Sequence, residues 1–323
     1  MKVLVIGGAG YIGSHVCREL LDAGHEIVVF DNLSSGQVEN LFEEERFVRG
    51  DILKTDDLLA CANEGFDALI HLAAFKAAGE SMDKPGKYAV NNITGTINIL
   101  NTAVSVGIKR IVFSSSAAVY GEPEYLPIDE KHPTRPENFY GFTKLEIERF
   151  LEWYDKLKDI RFAALRYFNA AGYDREGRIG GLEQNPANLL PIIMEAAIGK
   201  REKVEIFGDD YDTPDGTGVR DYVHVSDLAR GHLAALEYIN KEDKSLLVNL
   251  GSEEGISVME MVESARRITG KQIPSEITDR RPGDPARLVS TAALAKDLIG
   301  WSAKQSDVDS LVSTSWEAYK RAF

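Results

Sequence analysis

The chain opens on KVLVIG, an apolar run without polar interruption, and the same short signature returns in EIVVFDN, ALIHLAA, RIVFSSS, IRFAALRYFN and LLVNLGS. Continuous rather than alternating apolar runs predict strands covered on both faces, as in a parallel sheet between helix layers. Between them the period lengthens: a helix is predicted over about 12–23, stopped by Gly24, and another within 88–108, where Val90, Ile93, Ile97, Leu100 and Val104 mark one face. Alternating strands and helices mean βαβ units, so the expected fold class is α/β, a doubly wound parallel sheet. Past Gly172 the pattern loosens into DREGRIGGLEQNP and FGDDYDTPDGTG, which read as loops of a smaller α/β domain. The expected division is 1–174 for nucleotide binding and 175–323 for substrate binding, with LLVNLGS marking a return crossing to the first part.

Composition narrows the possible partners. With 37 basic against 51 acidic side chains the net charge is −14, a field that repels nucleic-acid backbones and anionic membranes. An anionic ligand then needs local Arg, Lys and backbone N–H groups. The uncharged segment 88–108 contains Asn91, Asn92, Asn98 and Asn101, which argues against a membrane span. Only Cys17 and Cys61 are present, at no metal-ligand spacing, and MKVLVIGGAG reads as a strand rather than a cleavable leader, so a cytoplasmic, reduced, metal-free protein is expected.

Gly7, Gly10 and Gly13 fall between the first strand and the first helix. Glycines there allow a tight turn and close backbone approach, while the helix N-terminus offers free N–H groups to a pyrophosphate. A lone glycine pattern is weak evidence, but Asp31 at the end of the second strand agrees with it: a carboxylate there accepts from ribose hydroxyls and repels the extra phosphate of NADP. NAD is the expected cofactor.

Tyr140 and Lys144 in YGFTKLEIERF share one helix face. A free phenol is ionised in only roughly one molecule in a thousand at neutral pH, and a nearby ammonium makes it a usable base. Ser116, in RIVFSSSAAVYG, supplies a hydroxyl to hold the reacting oxygen.

At these residues the chain resembles the extended short-chain dehydrogenase/reductase superfamily, and within it the UDP-glucose 4-epimerases. The likeness runs nearly end to end through GGAGYIGSH, VVFDNLSSG, HLAAFKAAGESMDKP, NNITGT, FSSSAAVYG, YGFTK, RYFNAAG, NLLP, GTGVRDYVHVSDLA and RRPGD. It implies a Rossmann-type sheet and an isomerase of galactose metabolism. By the same resemblance Gly7, Gly10, Tyr11, Ile12, Gly13, Asp31, Asn32, Asp51, Ile52, Lys76, Asn91, Tyr140, Lys144 and Tyr167 line the NAD site. Ser116, Tyr140, Phe168, Asn169, Asn188, Leu189, Phe207, Arg220, Arg281, Asp284 and Leu288 meet the UDP-sugar, with Arg220 and Arg281 on the diphosphate and Asp284 on the uridine ribose. The implied mechanism has Tyr140 take the 4-hydroxyl proton as C4 hydride passes to NAD, the 4-keto sugar turn over, and hydride return to its other face. A homodimer through the helices near 91–107 and around Tyr140 is implied as well.

Three departures from the family pattern stand out: Ile6 in place of a common Thr, no His in EQNPANLLP, and Leu288 at a position that governs room for N-acetyl groups. Leu288 is intermediate in size, which leaves N-acetylated and uronic UDP-sugars open. A related dehydratase or decarboxylase would need an acid where this chain has Ala117 and Ala118. A non-catalytic NAD-binding regulator would have no use for Ser116, Tyr140 and Lys144 together.

Overall fold

Alternate residues of the first strand serve two different cores. Val3 and Val5 pack with Val16, Leu20 and Leu236 on one side, while Leu4 and Ile6 pack with Leu58, Ile99 and Phe113 on the other. This double burial is why the strands read as unbroken apolar runs. The computed structural model describes residues 1–183, 186, 188–281 and 284–323. Parts of EQNPANLLP and RRPGD therefore lie outside the described residues.

The first part of the chain runs β1 (Lys2–Ile6), α1 (Tyr11–Asp22), β2 (Glu26–Asp31), β3 (Arg46–Arg49), α2 (Thr55–Ala62), β4 (Ala68–His71), α3 (Ala78–Asp83), α4 (Pro85–Tyr88), α5 (Gly95–Val106), β5 (Arg110–Ser114), α6 (Phe139–Lys158) and β6 (Arg161–Tyr167). It continues through β7 (Asn169–Ala171), α7 (Leu189–Ala197), β8 (Val204–Phe207), β9 (Val219–His224), α8 (Val225–Glu242), β10 (Leu246–Leu250), β11 (Gly255–Ser257), α9 (Val258–Thr269), β12 (Ser275–Thr278), β13 (Arg287–Leu288), α10 (Ala293–Ile299) and α11 (Val308–Ala322).

The main sheet has seven parallel strands in the order β10-β6-β5-β4-β1-β2-β3. Helices α1 and α8 cover one face; α2, α5 and α6 cover the other. The chain winds outward in both directions from β1, and the carboxyl ends of β1 and β4 flank the crevice where this architecture binds ligands. A smaller lobe is built on β9, flanked by β11, β13 and β7, with β8 and β12 paired nearby. Its core joins α7, α9 and α11. Segment 225–250, α8 and β10, returns to the main sheet.

The predicted α/β class and the stop at Gly24 match the structure: Gly24 takes φ +77° and donates its N–H to Leu21. Two details differ. The short charged strand β3 was not anticipated. Within 88–108 the buried residues include Tyr88, Asn92, Thr96, Ile99, Leu100 and Ala103, whereas Val90 is 52% exposed and Ile93, Ile97 and Val104 only half-buried. The inward positions include polar side chains satisfied by hydrogen bonds, Asn92 to the Phe75 carbonyl and the Thr143 hydroxyl and Thr96 to His71, which an apolar period does not mark; a π-helical turn also covers Ala89–Thr94. No helix among the described residues is long and apolar enough to cross a membrane.

Asp227 fastens the C-terminal segment to the start of α8. It is fully buried, pairs with Arg230, and its Oδ2 accepts from the Lys304 N–H at 3.0 Å, the Gln305 N–H at 2.8 Å and the Ser306 hydroxyl at 2.8 Å. Replacing it by alanine strands these donors, so Asp227→Ala is expected to lower the unfolding free energy by about 3 kcal/mol. Urea titration would register this as an earlier midpoint at unchanged slope.

Candidate active site

The glycine loop is dictated by close approach. Gly7 leaves β1 at φ +86°, and a Cβ there would lie 2.6 Å from the backbone nitrogen of Ala73 beyond β4. A Cβ on Gly13 would lie 2.2 Å from the Gly7 carbonyl oxygen. Helix α1 starts with Gly10 as an N-cap that offers no side-chain bond, and its first turn holds no acid. The first-turn N–H groups of Tyr11, Ile12 and Gly13 are left outside the helix ladder, at the positive end of its dipole.

A cavity of about 400 Å³ extends from this loop. It is lined by Gly7, Gly10, Tyr11, Ile12, Gly13, Asp31, Asn32, Ile52, Lys76, Asn91, Ser116, Tyr140, Lys144, Tyr167, Phe168, Asn169 and Asn188. Of the expected cofactor residues only Asp51 is missing; it stands behind the wall, accepting from the Asn32 side chain at 3.3 Å. Asp31 accepts from the N–H groups of Ala9 at 3.1 Å and Leu33 at 2.8 Å, and burial holds its carboxyl above the usual range against those bonds. Lys76 spans to Glu183 on the far side in an ion pair. The Tyr11 hydroxyl points away, donating to the Gly172 carbonyl at 2.5 Å. The cradle, its uncapped helix and Asp31 fit NAD.

Three consecutive serines at the end of β5 are held in three different ways. The His232 Nδ1 lies 2.8 Å from the Leu228 carbonyl and must donate to it, so its Nε2 accepts the Ser114 hydroxyl at 2.7 Å; burial keeps this ring neutral, with a pKa of about 4. Ser115 donates to Glu148 at 2.5 Å. Ser116 turns into the cavity, where its oxygen accepts from the Ala118 N–H at 3.2 Å.

Asn138 caps α6 by accepting from the Gly141 N–H at 2.8 Å, so the helix begins just before Tyr140. A Cβ on Gly141 would lie 2.3 Å from the Ala118 carbonyl oxygen, which shows how closely the helix start approaches the serine loop. Burial pushes the Tyr140 phenol up, and the Ser116 hydroxyl partly offsets this. Burial pushes Lys144 down to about 7, opposed by Glu148. The Lys144 amine donates to the Ser114 carbonyl at 2.7 Å and lies 5.8 Å from the Tyr140 ring centre. Each charge alone is costly in this interior, so a phenolate and an ammonium favour each other.

The expected substrate residues fall into two groups. Ser116, Tyr140, Phe168, Asn169 and Asn188 line the cavity. Leu189, Phe207, Arg220, Arg281, Asp284 and Leu288 lie beyond it in the smaller lobe. There Arg281 stacks 3.6 Å over the Phe207 ring, and Arg220 donates to Asp284 at 2.8 Å. Register places Leu288 opposite Arg220 across β13 and β9, and Leu288 packs against the cluster containing Phe168 and Val119. Leu189 opens α7 against the smaller core. Asn169 donates to the Asp221 carbonyl at 2.9 Å, joining both groups.

Sequence reasoning missed Asn92, whose side chain bonds Phe75 in both directions and accepts from Asn91 at 3.0 Å. It also missed Glu148 and Arg166. A buried acid four residues after a buried lysine was the available signal. Among the described residues no cluster of three or more His, Cys, Asp or Glu side chains could hold a metal ion.

Residues 3–251 match the NAD dependent epimerase/dehydratase family. The chain belongs to that family. The UDP-glucose 4-epimerase of Lacticaseibacillus casei is 44% identical over 317 residues, covering 98% of this chain and 96% of its own. The crystal structure of UDP-glucose 4-epimerase from Brucella ovis in complex with NAD has a TM-score of 0.96 at 42% identity, covering 98% of both chains. That of the Bifidobacterium longum enzyme in complex with NAD⁺ and UDP has a TM-score of 0.92 at 37% identity, covering 100% of both.

For Gly13→Ala the loop must open, misdirecting the first-turn N–H groups. NAD affinity is expected to drop roughly a hundredfold, the worth of one or two charge-assisted hydrogen bonds, in a protein that still folds. Cofactor retained through gel filtration and released by denaturation would measure it.

Proposed function

We propose that this chain is an NAD-dependent isomerase that inverts C4 of a UDP-hexose, with UDP-galactose and UDP-glucose as its main pair. The observation that carries the reading is the convergence of Ser116, Tyr140 and Lys144 in the cavity that begins at the glycine cradle. Gly7, Gly10, Gly13 and Asp31 hold the cofactor, and NAD, when bound, supplies a reversible hydride acceptor for the sugar. Tyr140 removes and returns the 4-hydroxyl proton, Ser116 holds that oxygen, and Lys144 offsets the phenolate charge. Ala117 and Ala118, next to Ser116, carry no proton to transfer, which favours epimerisation over dehydration. Asn188, Leu189, Phe207, Arg220, Arg281 and Asp284 take the UDP moiety.

Leu288 packs against Phe168, which borders the sugar, and its intermediate size leaves UDP-N-acetyl sugars or uronates open as a second substrate class. The division at 174/175, with 225–250 returned to the first lobe, is supported by the main sheet drawing its strands from 2–167 and 246–250, while β7 before that boundary already pairs with β9 of the smaller sheet. The working form is a cytoplasmic homodimer. Supporting it, Phe142, Trp153 and Leu157 of α6 are exposed, as is Val90, and Tyr154 ties α6 to Asn101 of α5 at 2.7 Å. Light scattering at twice the chain mass is the expected result.

Given an equimolar mixture of UDP-galactose and UDP-N-acetylgalactosamine without added NAD, the purified protein is expected to convert the first, read from the anomeric proton signals by NMR. Conversion of the second as well would mark Leu288 as permissive, and Leu288→Tyr should then abolish only that activity. Failure on both, with NAD supplied, would overturn the substrate assignment. Tyr140→Phe is expected to lose roughly a thousandfold in turnover while still retaining NAD.

A further inference from the structure

We propose that Glu148 is a positioning residue for this reaction: one buried carboxylate that registers the three elements bearing Ser116, Lys144 and Tyr167 and keeps the Lys144 amine charged. The proposal rests on the functional reading above.

The geometry is a three-way tie. Glu148 lies on α6, one turn beyond Lys144 on the same face, and is 2% exposed. Its Oε1 accepts the Ser115 hydroxyl at 2.5 Å, fixing the end of β5 next to Ser116. The same oxygen accepts Arg166 Nε at 3.0 Å and Oε2 accepts Arg166 Nη2 at 2.6 Å, fixing the end of β6 just before Tyr167, Phe168 and Asn169. Arg166 in turn donates to the Tyr120 hydroxyl at 3.1 Å, which donates to Asn249 of β10 at 2.6 Å. One carboxylate thus joins the helix and both strand ends that carry the reacting groups.

Stability does not account for it. The neighbouring positions Leu145, Ile147 and Leu151 are buried and apolar, and an apolar pair in place of a buried ion pair is commonly as stable or more so. What an apolar pair would not supply is a negative charge beside Lys144, which among the described residues has no ion pair of its own. Of the other groups around this amine, His71 from β4 is held neutral by burial, with a pKa of about 3, and His232 from α8, behind Ser114, is neutral too. Tyr167 from β6 is pushed well up by burial, and Tyr140 is the proton acceptor itself. Arg166 is matched by Glu148, and Glu130 lies farther off, accepting from the Asn249 N–H. Glu148 is the charge left to oppose the cost of burying the ammonium.

Removing that charge lowers the pH at which Lys144 loses its proton and favours the neutral phenol and amine over phenolate and ammonium. For Glu148→Gln the alkaline limb of the kcat–pH profile is expected to move about one unit toward lower pH. Turnover at neutral pH should fall roughly tenfold, with KM within about twofold and NAD still bound. Glu148→Asp, which keeps the charge but cannot reach Ser115 and Arg166 together, should lose turnover with the limb in place. An unmoved limb in a folded, NAD-loaded Glu148→Gln protein overturns the proposal. If that variant does not fold, Glu148→Gln with Arg166→Gln is judged by the same limb.

A readout without substrate separates this from failure of the functional reading. The phenolate absorbance lost on Tyr140→Phe should be smaller in the Glu148→Gln background than in the wild type. If the wild type turns over no UDP-sugar, this difference alone decides: a smaller signal supports the role of Glu148, and an equal one rejects it.

Discussion

Burying the Lys144 amine is the constraint to which the rest of the centre answers. At 3% exposure it has lost its water and can keep a charge only if nearby protein groups replace that water. The Ser114 carbonyl does so by hydrogen bond and the Phe113 ring, 4.7 Å away, by its π face. Glu148 does so through the interior. Two neighbouring histidines that could compete for charge are kept neutral by the same burial. A solvated lysine here would leave Tyr140 with little inducement to ionise.

The main sheet makes that burial possible. Because β1 has β2 on one side and β4 on the other, the chain diverges at their carboxyl ends and opens a crevice without breaking the sheet. The backbone fills its floor so tightly at Gly7 and Ala73 that any side chain would force the strands apart. Lysine and cofactor cradle thus face one enclosed space from opposite directions, Lys144 from the helix layer of α6 and the cradle from α1.

Much of this was legible because it is local. Continuous apolar strands, the glycine spacing, and Tyr140 and Lys144 on one helix face all follow from residues within a few positions of each other, and the family likeness bound them to one site. What escaped was non-local or non-periodic. The π-helical turn at Ala89–Thr94 has no apolar signature, and neither do its buried Asn92 and the buried Thr96 of the following helix, both held by side-chain hydrogen bonds. Strand β3, RFVR, is an edge with only two apolar residues between two arginines, too short a run to mark it. Ser115, Glu148 and Arg166 are separated by 33 and 18 residues, so their meeting depends on the sheet order rather than on spacing.

On the proposed reading of the smaller lobe as the UDP site, a chain of net charge −14 would receive a diphosphate through a few local groups. The two arginines there are already oriented, one by the Asp284 carboxylate and one by the Phe207 ring, so little side-chain freedom is left to lose on binding. The carboxylate is the telling partner. Arg220 is 15% exposed at its side chain and Asp284 36%, so their pair sits at the edge of the interior, where a second anion can compete for the guanidinium. On that reading a diphosphate that took Arg220 would release Asp284, and the freed carboxylate would become an acceptor for a hydroxyl on the same ligand. One exchange of partners would then serve both charge and ribose recognition, and a phosphate lacking the sugar would recover only half of it.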